Sequence, residues 1–137
     1  GFPGMKVLEF AFDSREESDY LPHNYIKNCI VYTGTHDNDT ILGWQKSANR
    51  KDISYARKYL NAKRGTLVWP MITSALSSVA DTAIITMQDI LELGSDARMN
   101  IPSTVGENWK WRCKQEDLCE ENFNKLGYLT KLYARKG

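Results

Sequence analysis

Histidine, cysteine and proline are scarce in this 137-residue chain, at two, three and four residues. His23 and His36 are too few to help build a metal-dependent phosphohydrolase centre. Cys29, Cys113 and Cys119 form an odd set with no C-x-x-C pair, so neither a zinc site nor a disulfide framework is expected. With no such framework, the expected compartment is the reducing cytoplasm. No apolar run approaches the roughly 20 residues that span a bilayer, so no membrane partner is expected. An excess of one charge is missing too: 18 Lys and Arg against 17 Asp and Glu leave a net charge of +1. That balance gives no electrostatic case for nucleic acid as the partner. Internal repeats and low-complexity stretches are absent. So is an initiator Met; the opening Gly1-Phe2-Pro3-Gly4 is neither basic nor followed by the apolar stretch of a leader. A strand-like run begins almost at once, and we expect the chain to start inside something larger.

What is present is the composition of a folded domain, 42% hydrophobic and 26% charged. Short non-alternating apolar runs at 5–12, 29–33 and 82–86 read as buried strands. Helical spacing occupies the interval between the second and third runs. Ile53, Ala56, Tyr59 and Leu60 mark one helix, with Asn49 or Asp52 as its cap. Leu67, Val68, Met71, Ile72, Ala75, Leu76, Val79 and Ala80 form a stronger stripe, with Thr66 as the expected cap and Pro70 in the first turn. Residues 87–93 read as a short helix ended by Gly94, 95–112 as a loop, and 115–126 and 128–134 as two tail helices. Apolar strands separated by amphipathic helices predict an α/β fold with parallel strands covered on both faces. Three strands are too few to stand alone without exposed edges, and a complete (β/α)8 barrel takes about 250 residues. The pattern therefore reads as part of such a sheet.

In β/α sheets, chemistry collects beyond the carboxyl ends of the strands. Segments 13–19, 34–40 and 87–100 occupy that place. The densest is 34–40, where His36-Asp37-Asn38-Asp39 follows a strand directly. Asp37 there is either a catalytic or substrate-binding carboxylate with His36 as a donor beside it, or an Asx-turn residue ahead of a helix capped by Asp39 or Thr40. An EF-hand is excluded: Asp37 and Asp39 fit the first two ligand positions, but the fifth loop position is Ile41 and the sixth, where glycine is required, is Leu42. Trp44, Trp109 and Trp111 can stack on pyranose faces or pack in the core. Segment 95–102 is either a binding loop or a surface connection.

Taken together, four stretches resemble the 4-α-glucanotransferases, the amylomaltase or disproportionating-enzyme family. They are 3–12 (PGMKVLEFAF), 20–25 (YLPHNY), 32–40 (YTGTHDNDT) with Gly43-Trp44, and 94–102 (GSDARMNIP) leading to Asn108-Trp109-Lys110-Trp111-Arg112. The resemblance implies that residues 1–137 are the C-terminal part of a (β/α)8 TIM barrel, about three parallel strands plus helices, and not a complete barrel. It implies transfer of an α-1,4-glucan segment to the 4-hydroxyl of glucose or another glucan, by a retaining mechanism with two carboxyl groups. It implies no organic cofactor and no metal. By the same resemblance Asp37 is a third carboxylate that stabilises the transition state, His36 binds the same sugar, and Asn100 is a substrate contact. Asp13 lies where a sugar-binding carboxylate sits, with Ser14 the competing match. The family's nucleophile and acid/base precede the first stretch, so neither falls on this chain. A non-catalytic α-glucan-binding or structural fragment is the alternative. The chain departs from the family at Glu9, where Gln is usual, and at Ser103, where Gly is common. A buried Glu9 is expected to have a partner or a shifted pKa.

Overall fold

The computed structural model describes residues 1–135. Three short strands, β1 (Gly4–Val7), β2 (Cys29–Tyr32) and β3 (Thr82–Ile84), form one parallel sheet in the order β1-β2-β3. Met5 pairs with Ile30 and Ile30 with Thr82; one step on, Lys6 pairs with Val31 and Val31 with Ala83. Alternation along β2 divides the sheet's faces. Cys29 and Val31 are buried in the main core, whereas Ile30 and Tyr32 are only half-buried. Both sets are apolar, which is why the run carries no polar alternation. Helices cover one face; on the other, Met5 and Ile84 remain 53% and 43% exposed. The expectation of strands covered on both faces is therefore met on one face only among the described residues.

The first run is a strand for only half its expected length. After Val7 it turns into a 3₁₀ turn, Leu8–Phe10, closed by the Ala11 N–H donating to the Leu8 carbonyl. The turn sends Leu8, Ala11 and Phe12 into the core and leaves Phe10 exposed. The third run is shortened likewise, because Thr86 leaves the strand to cap the next helix.

Between β2 and β3 run α1 (Ile41–Ser47), α2 (Arg50–Leu60) and α3 (Val68–Ser77). The Thr40 hydroxyl accepts from the Gly43 N–H at the start of α1, and the Asn49 side chain accepts from the Asp52 N–H at the start of α2. Of the open alternatives, Thr40 and Asn49 are the caps. The apolar stripe of α3 is the centre of the core: Val68, Trp69, Met71, Ile72, Ala75 and Leu76 are all buried. Each large aliphatic side chain so placed contributes about 1.5–3 kcal/mol. Thr66 does not cap this helix. Leu67 holds that position, and its N–H donates to Oε1 of Gln45 at 2.8 Å. A side chain from α1, and no local hydroxyl, holds the chain at the start of this helix.

A short helix α4 (Met87–Ile90) follows β3, and α5 (Glu120–Leu132) closes the fold. Glu92, at φ 57°, and not Gly94, takes the left-handed position after α4. The N–H groups of Glu92 and Leu93 donate to the carbonyls of Asp89 and Gln88 there, satisfying the helix end. The tail holds one helix where two are expected. Gln115–Asp117 is a separate 3₁₀ turn, and α5 runs unbroken through Gly127. Leu129 is buried, Lys125 Nζ lies 4.8 Å from the Trp69 ring centroid, and the Arg135 guanidinium donates to the carbonyls of Leu76, Ser78 and Ala80.

Asp89 ties the carboxyl ends of these elements together. It is 2% exposed; its Oδ2 accepts from the Thr33 hydroxyl at 2.9 Å and its Oδ1 from the Ile41 N–H at 2.8 Å. One carboxyl on α4 thus fixes both the exit of β2 and the entry of α1, the two ends of the 34–40 turn. Asp89→Ala is expected to destabilise the fold by about 2–4 kcal/mol, since it strands two buried donors at once. Urea unfolding checks this, and an unchanged midpoint would remove Asp89 from that role.

Candidate functional site

The turn between Thr33 and Thr40 is shaped by its own polar side chains. Asn38 Oδ1 accepts from both the N–H and the hydroxyl of Thr35, each at 2.8 Å. With the Asn38 N–H donating to the Thr35 carbonyl and the Asp37 N–H to the Thr35 hydroxyl, this turn leaves His36 and Asp37 facing outward, at half-exposed positions beyond the carboxyl end of β2. Asp39 closes the turn: its Oδ1 accepts from the Thr40 N–H and its Oδ2 from the Ser95 hydroxyl, both at 2.8 Å. Gly43 lets α1 approach this pair, since a Cβ there would collide with the Asp39 carboxylate and the Ser95 hydroxyl.

A second segment folds over the turn. Ser95–Ala97 is a 3₁₀ turn, and the chain then extends through Arg98 to Asn100. Nδ2 of Asn100 donates to Oδ1 of Asp37 at 2.7 Å, and His36 Nε2 lies 3.4 Å from the same oxygen. Arg98 supports both segments from its two ends. Its Nη2 donates to the Asp37 carbonyl at 2.8 Å and its Nε to the Asn100 carbonyl at 2.9 Å. Trp109 completes one wall. Its N–H donates to the Met99 carbonyl, and its ring centroid lies 5.1 Å from that of His36. A cleft of about 270 Å³ opens between Thr35, His36, Asp39, Arg98, Met99 and Trp109.

His36, Asp37 and Asn100 are thus brought together although 63 residues separate Asp37 from Asn100. Asp13 is not with them. It sits past the end of β1, where Arg15 grips both its oxygens through Nε and Nη2. The side-chain hydrogen bonds from Arg15 hold its pKa down at about 2. Ser14, the competing match, donates its N–H to Asp52 at the start of α2. Of the three tryptophans considered for stacking, Trp44 packs against Phe12 in the core, Trp109 is 52% exposed beside His36, and Trp111 is half-buried. Trp109, at φ 62°, is itself in the left-handed region. The residues 20–25 build a separate cluster, in which His23 bonds to the Tyr59 hydroxyl and to Glu17. Arg98 is the residue of this site that sequence reasoning misses. A lone Arg in a loop carries no local signal; only the fold places it under Asp37.

The two departures from the glucanotransferase pattern have structural consequences. The Thr104 N–H donates to the Ile101 carbonyl across Pro102 and Ser103, with Ser103 at φ 64°. Proline followed by a left-handed residue is the pattern of a type II turn, which glycine suits better than serine. Glu9 is 6% exposed, its Oε2 has no hydrogen-bond partner, and its carboxyl lies so close to Gly34 that a Cβ there would collide with it. Burial, with Asp89 and Asp39 adding to it and Arg98 opposing, pushes its pKa up to about 9. Asp89 is also raised, first by burial. Among the described residues no three His, Cys, Asp or Glu side chains gather as a metal site requires.

The chain is similar to known proteins. A family model described as 4-alpha-glucanotransferase matches residues 1–117. A 4-alpha-glucanotransferase of Clostridium butyricum is 47% identical over 140 residues, covering 98% of this chain and 28% of the relative. A chloroplastic/amyloplastic 4-alpha-glucanotransferase of Solanum tuberosum is 54% identical over 137 residues, covering 97% of this chain and 24% of the relative. Amylomaltase from Streptococcus agalactiae, solved in complex with acarbose, superposes with a TM-score of 0.94 at 40% identity, covering 99% of this chain and 28% of that one. The chain thus spans about a quarter of the length of the relatives it matches.

Glu9 generates a stability prediction. An unfolded glutamate ionises near its ordinary 4.5 and the folded one near 9, so between those values the folded state holds a proton the unfolded state lacks. Stability therefore falls as pH rises across that window. Glu9→Gln removes the dependence and is expected to stabilise the fold at pH 8 by on the order of 4 kcal/mol more than at pH 4.5. Thermal unfolding at the two pH values measures it; an equal shift at both would leave Glu9 titrating normally.

Proposed function

The chain belongs to the 4-alpha-glucanotransferase family, and from that we propose that it is the C-terminal segment of a catalytic barrel domain that transfers α-1,4-glucan segments to the 4-hydroxyl of glucose or another glucan. Its fold is the matching part of a (β/α)8 barrel, three parallel strands with their helices. The substrates in this reading are maltooligosaccharides and starch or glycogen fragments. The observation that carries it is the meeting of Asp37, His36 and Asn100 at the carboxyl end of β2, with Asn100 bonded to Asp37 at 2.7 Å.

In the proposed mechanism this chain binds and stabilises; it does not break the bond. Residues outside it supply the nucleophile and the acid/base, whose carboxyl groups stand about 5–5.5 Å apart in a retaining reaction. Asp37 holds sugar hydroxyls next to the reacting carbon. Its negative charge interacts more strongly as oxocarbenium character develops, so it lowers the barrier more than it tightens the ground state. His36 donates to the same sugar. Asn100 holds the Asp37 carboxylate in place and offers its amide to the substrate. The Trp109 face, exposed beside His36, suits stacking on a pyranose ring. Asp13 contributes from the neighbouring strand end once a sugar competes with Arg15 for its oxygens. Support for a reducing compartment, the cytoplasm in our reading, comes from Cys29, Cys113 and Cys119 being free thiols; the name of the Solanum relative places that protein in the plastid. No helix among the described residues is long and apolar enough to cross a membrane.

In the complete protein, Asp37→Asn is expected to lower the transfer rate on the order of 10²–10³-fold while maltotriose binding weakens far less. Normal turnover by that variant would reduce Asp37 to a turn residue, and retained binding with no transfer even in the wild type would favour the non-catalytic alternative. The isolated chain is expected to produce neither longer nor shorter sugars from maltotriose. It is also expected to self-associate, because β1 and β3 present unpaired edges beside the exposed Phe2, Met5 and Ile84. Sugar analysis and light scattering test the two halves separately. Product formation would overturn the first, and a stable monomer the second.

A further inference from the structure

Two side-chain hydrogen bonds join Asp37 to the segment that folds over it, and a sugar affects them differently. Asn100 Nδ2 donates to Asp37 Oδ1 at 2.7 Å. In the reading above both groups also serve the sugar, Asp37 with its oxygens and Asn100 with its amide. A sugar hydroxyl arriving at Asp37 competes for that bond. The second bond comes from Arg98 and ends on the main chain. Its Nη2 donates to the Asp37 carbonyl at 2.8 Å, while its Nε donates to the Asn100 carbonyl at 2.9 Å. Neither carbonyl has a task in the transfer, so a bound sugar leaves both bonds in place. A further link, from the Ser95 hydroxyl to Asp39, holds the far end of the turn and does not reach Asp37.

The two bonds also say what kind of group the position needs. Nε and Nη2 form one edge of a guanidinium, a planar pair of donors whose spacing is set by covalent geometry. One donor is on the turn and the other on the segment above it, so the plane sets how the backbone of Asp37 sits against that of Asn100. Among the described residues no carboxylate lies within ion-pair distance of Arg98. The site thus uses the fork of this side chain rather than an ion pair.

We propose that Arg98 is a positioning residue for the transfer: its planar fork keeps the backbone of Asp37 and Asn100 in register while a sugar replaces the hydrogen bond between their side chains. The inference rests on the reading of this cleft as the glucan site. Asp37 in that reading acts by charge on a developing oxocarbenium ion. That interaction grows in the transition state and depends on where the carboxylate stands. A shift of its backbone therefore shows in kcat more than in KM. Lysine is no substitute, since it keeps the charge but offers a single nitrogen without a fixed plane.

The test uses the complete protein with Arg98→Lys, which keeps the charge without the fork, and Arg98→Gln, which keeps neither. Transfer from maltotriose is measured per folded molecule, with folding followed by near-UV circular dichroism. Both variants are expected to lose about 10²-fold in kcat, as a misplacement of about 1 Å causes, with KM changed less than about threefold. The Asp37→Asn background supplies the readout that a merely structural role would not move. If Arg98 acts through Asp37, adding Arg98→Lys to Asp37→Asn lowers kcat by less than about threefold further. Near-normal kcat in Arg98→Lys, or losses that multiply in the double variant, overturns the proposal. If the wild type itself transfers no glucan, the functional reading fails, and Trp109 emission decides for Arg98. Trp109 donates its N–H to the carbonyl of Met99, which lies between Arg98 and Asn100. Its emission, taken as the difference between each protein and its Trp109→Phe counterpart, is expected to change in Arg98→Lys. Identical emission would show that Arg98 does not hold the segment.

Discussion

The buried carboxyl of Asp89 is the constraint on which the rest of this region depends. A parallel strand ends with its last polar groups pointing into the place where the next helix must begin, and neither end can satisfy itself. Here one side chain from a third element accepts from both, from Thr33 at the end of β2 and from Ile41 at the start of α1. The turn between them is pinned at its two ends, and the Thr35–Asn38 hydrogen bonds close it. That fixes the direction in which His36 and Asp37 leave the sheet. The cost is a carboxyl group taken out of water, visible in its raised pKa.

Charged groups from several segments meet around the turn. Glu9 and Asp89 are buried and Asp39 is half-buried. The Arg98 guanidinium lies on the Asp37 and Asn100 carbonyls. Close approach is what makes this possible: Gly34 admits the Glu9 carboxyl, and Gly43 admits Asp39 and Ser95 against α1. A side chain at either glycine would force these polar side chains to shift. The site is thus held by polar groups whose hydrogen bonds are made with other segments, a high-stakes arrangement in a low-dielectric interior.

Much of the site is legible along the chain. His36 and Asp37 stand in a dense polar stretch immediately after an apolar run, and the carboxyl end of a parallel strand is where such residues act. Asn100 is reachable only through the family resemblance, and its bond to Asp37 only through the fold. Asp13 reads as part of the same site, yet a two-residue reach puts Arg15 on its carboxylate. Helix ends are less legible where tertiary contacts replace local ones. Thr66 has the composition of a cap, but Gln45, 22 residues earlier, satisfies Leu67. Glu92 has the pattern of an ordinary helical residue, and it takes the left-handed turn expected of a glycine two positions on.

What the sequence by itself determined is local and repetitive: three apolar runs that must be strands, the stripe of α3 that must be buried, and a polar turn after β2. These follow from periodicity and from the cost of exposing apolar surface, both of which act over a few residues. Tertiary structure alone decided where the strands stop, which helix ends are capped from afar, and which distant side chains meet over Asp37. It also decided that Glu9 would be buried without a partner for its Oε2. Those outcomes depend on desolvation and on hydrogen bonds across dozens of residues, whose strength is set by what surrounds a group in space and not by its neighbours along the chain.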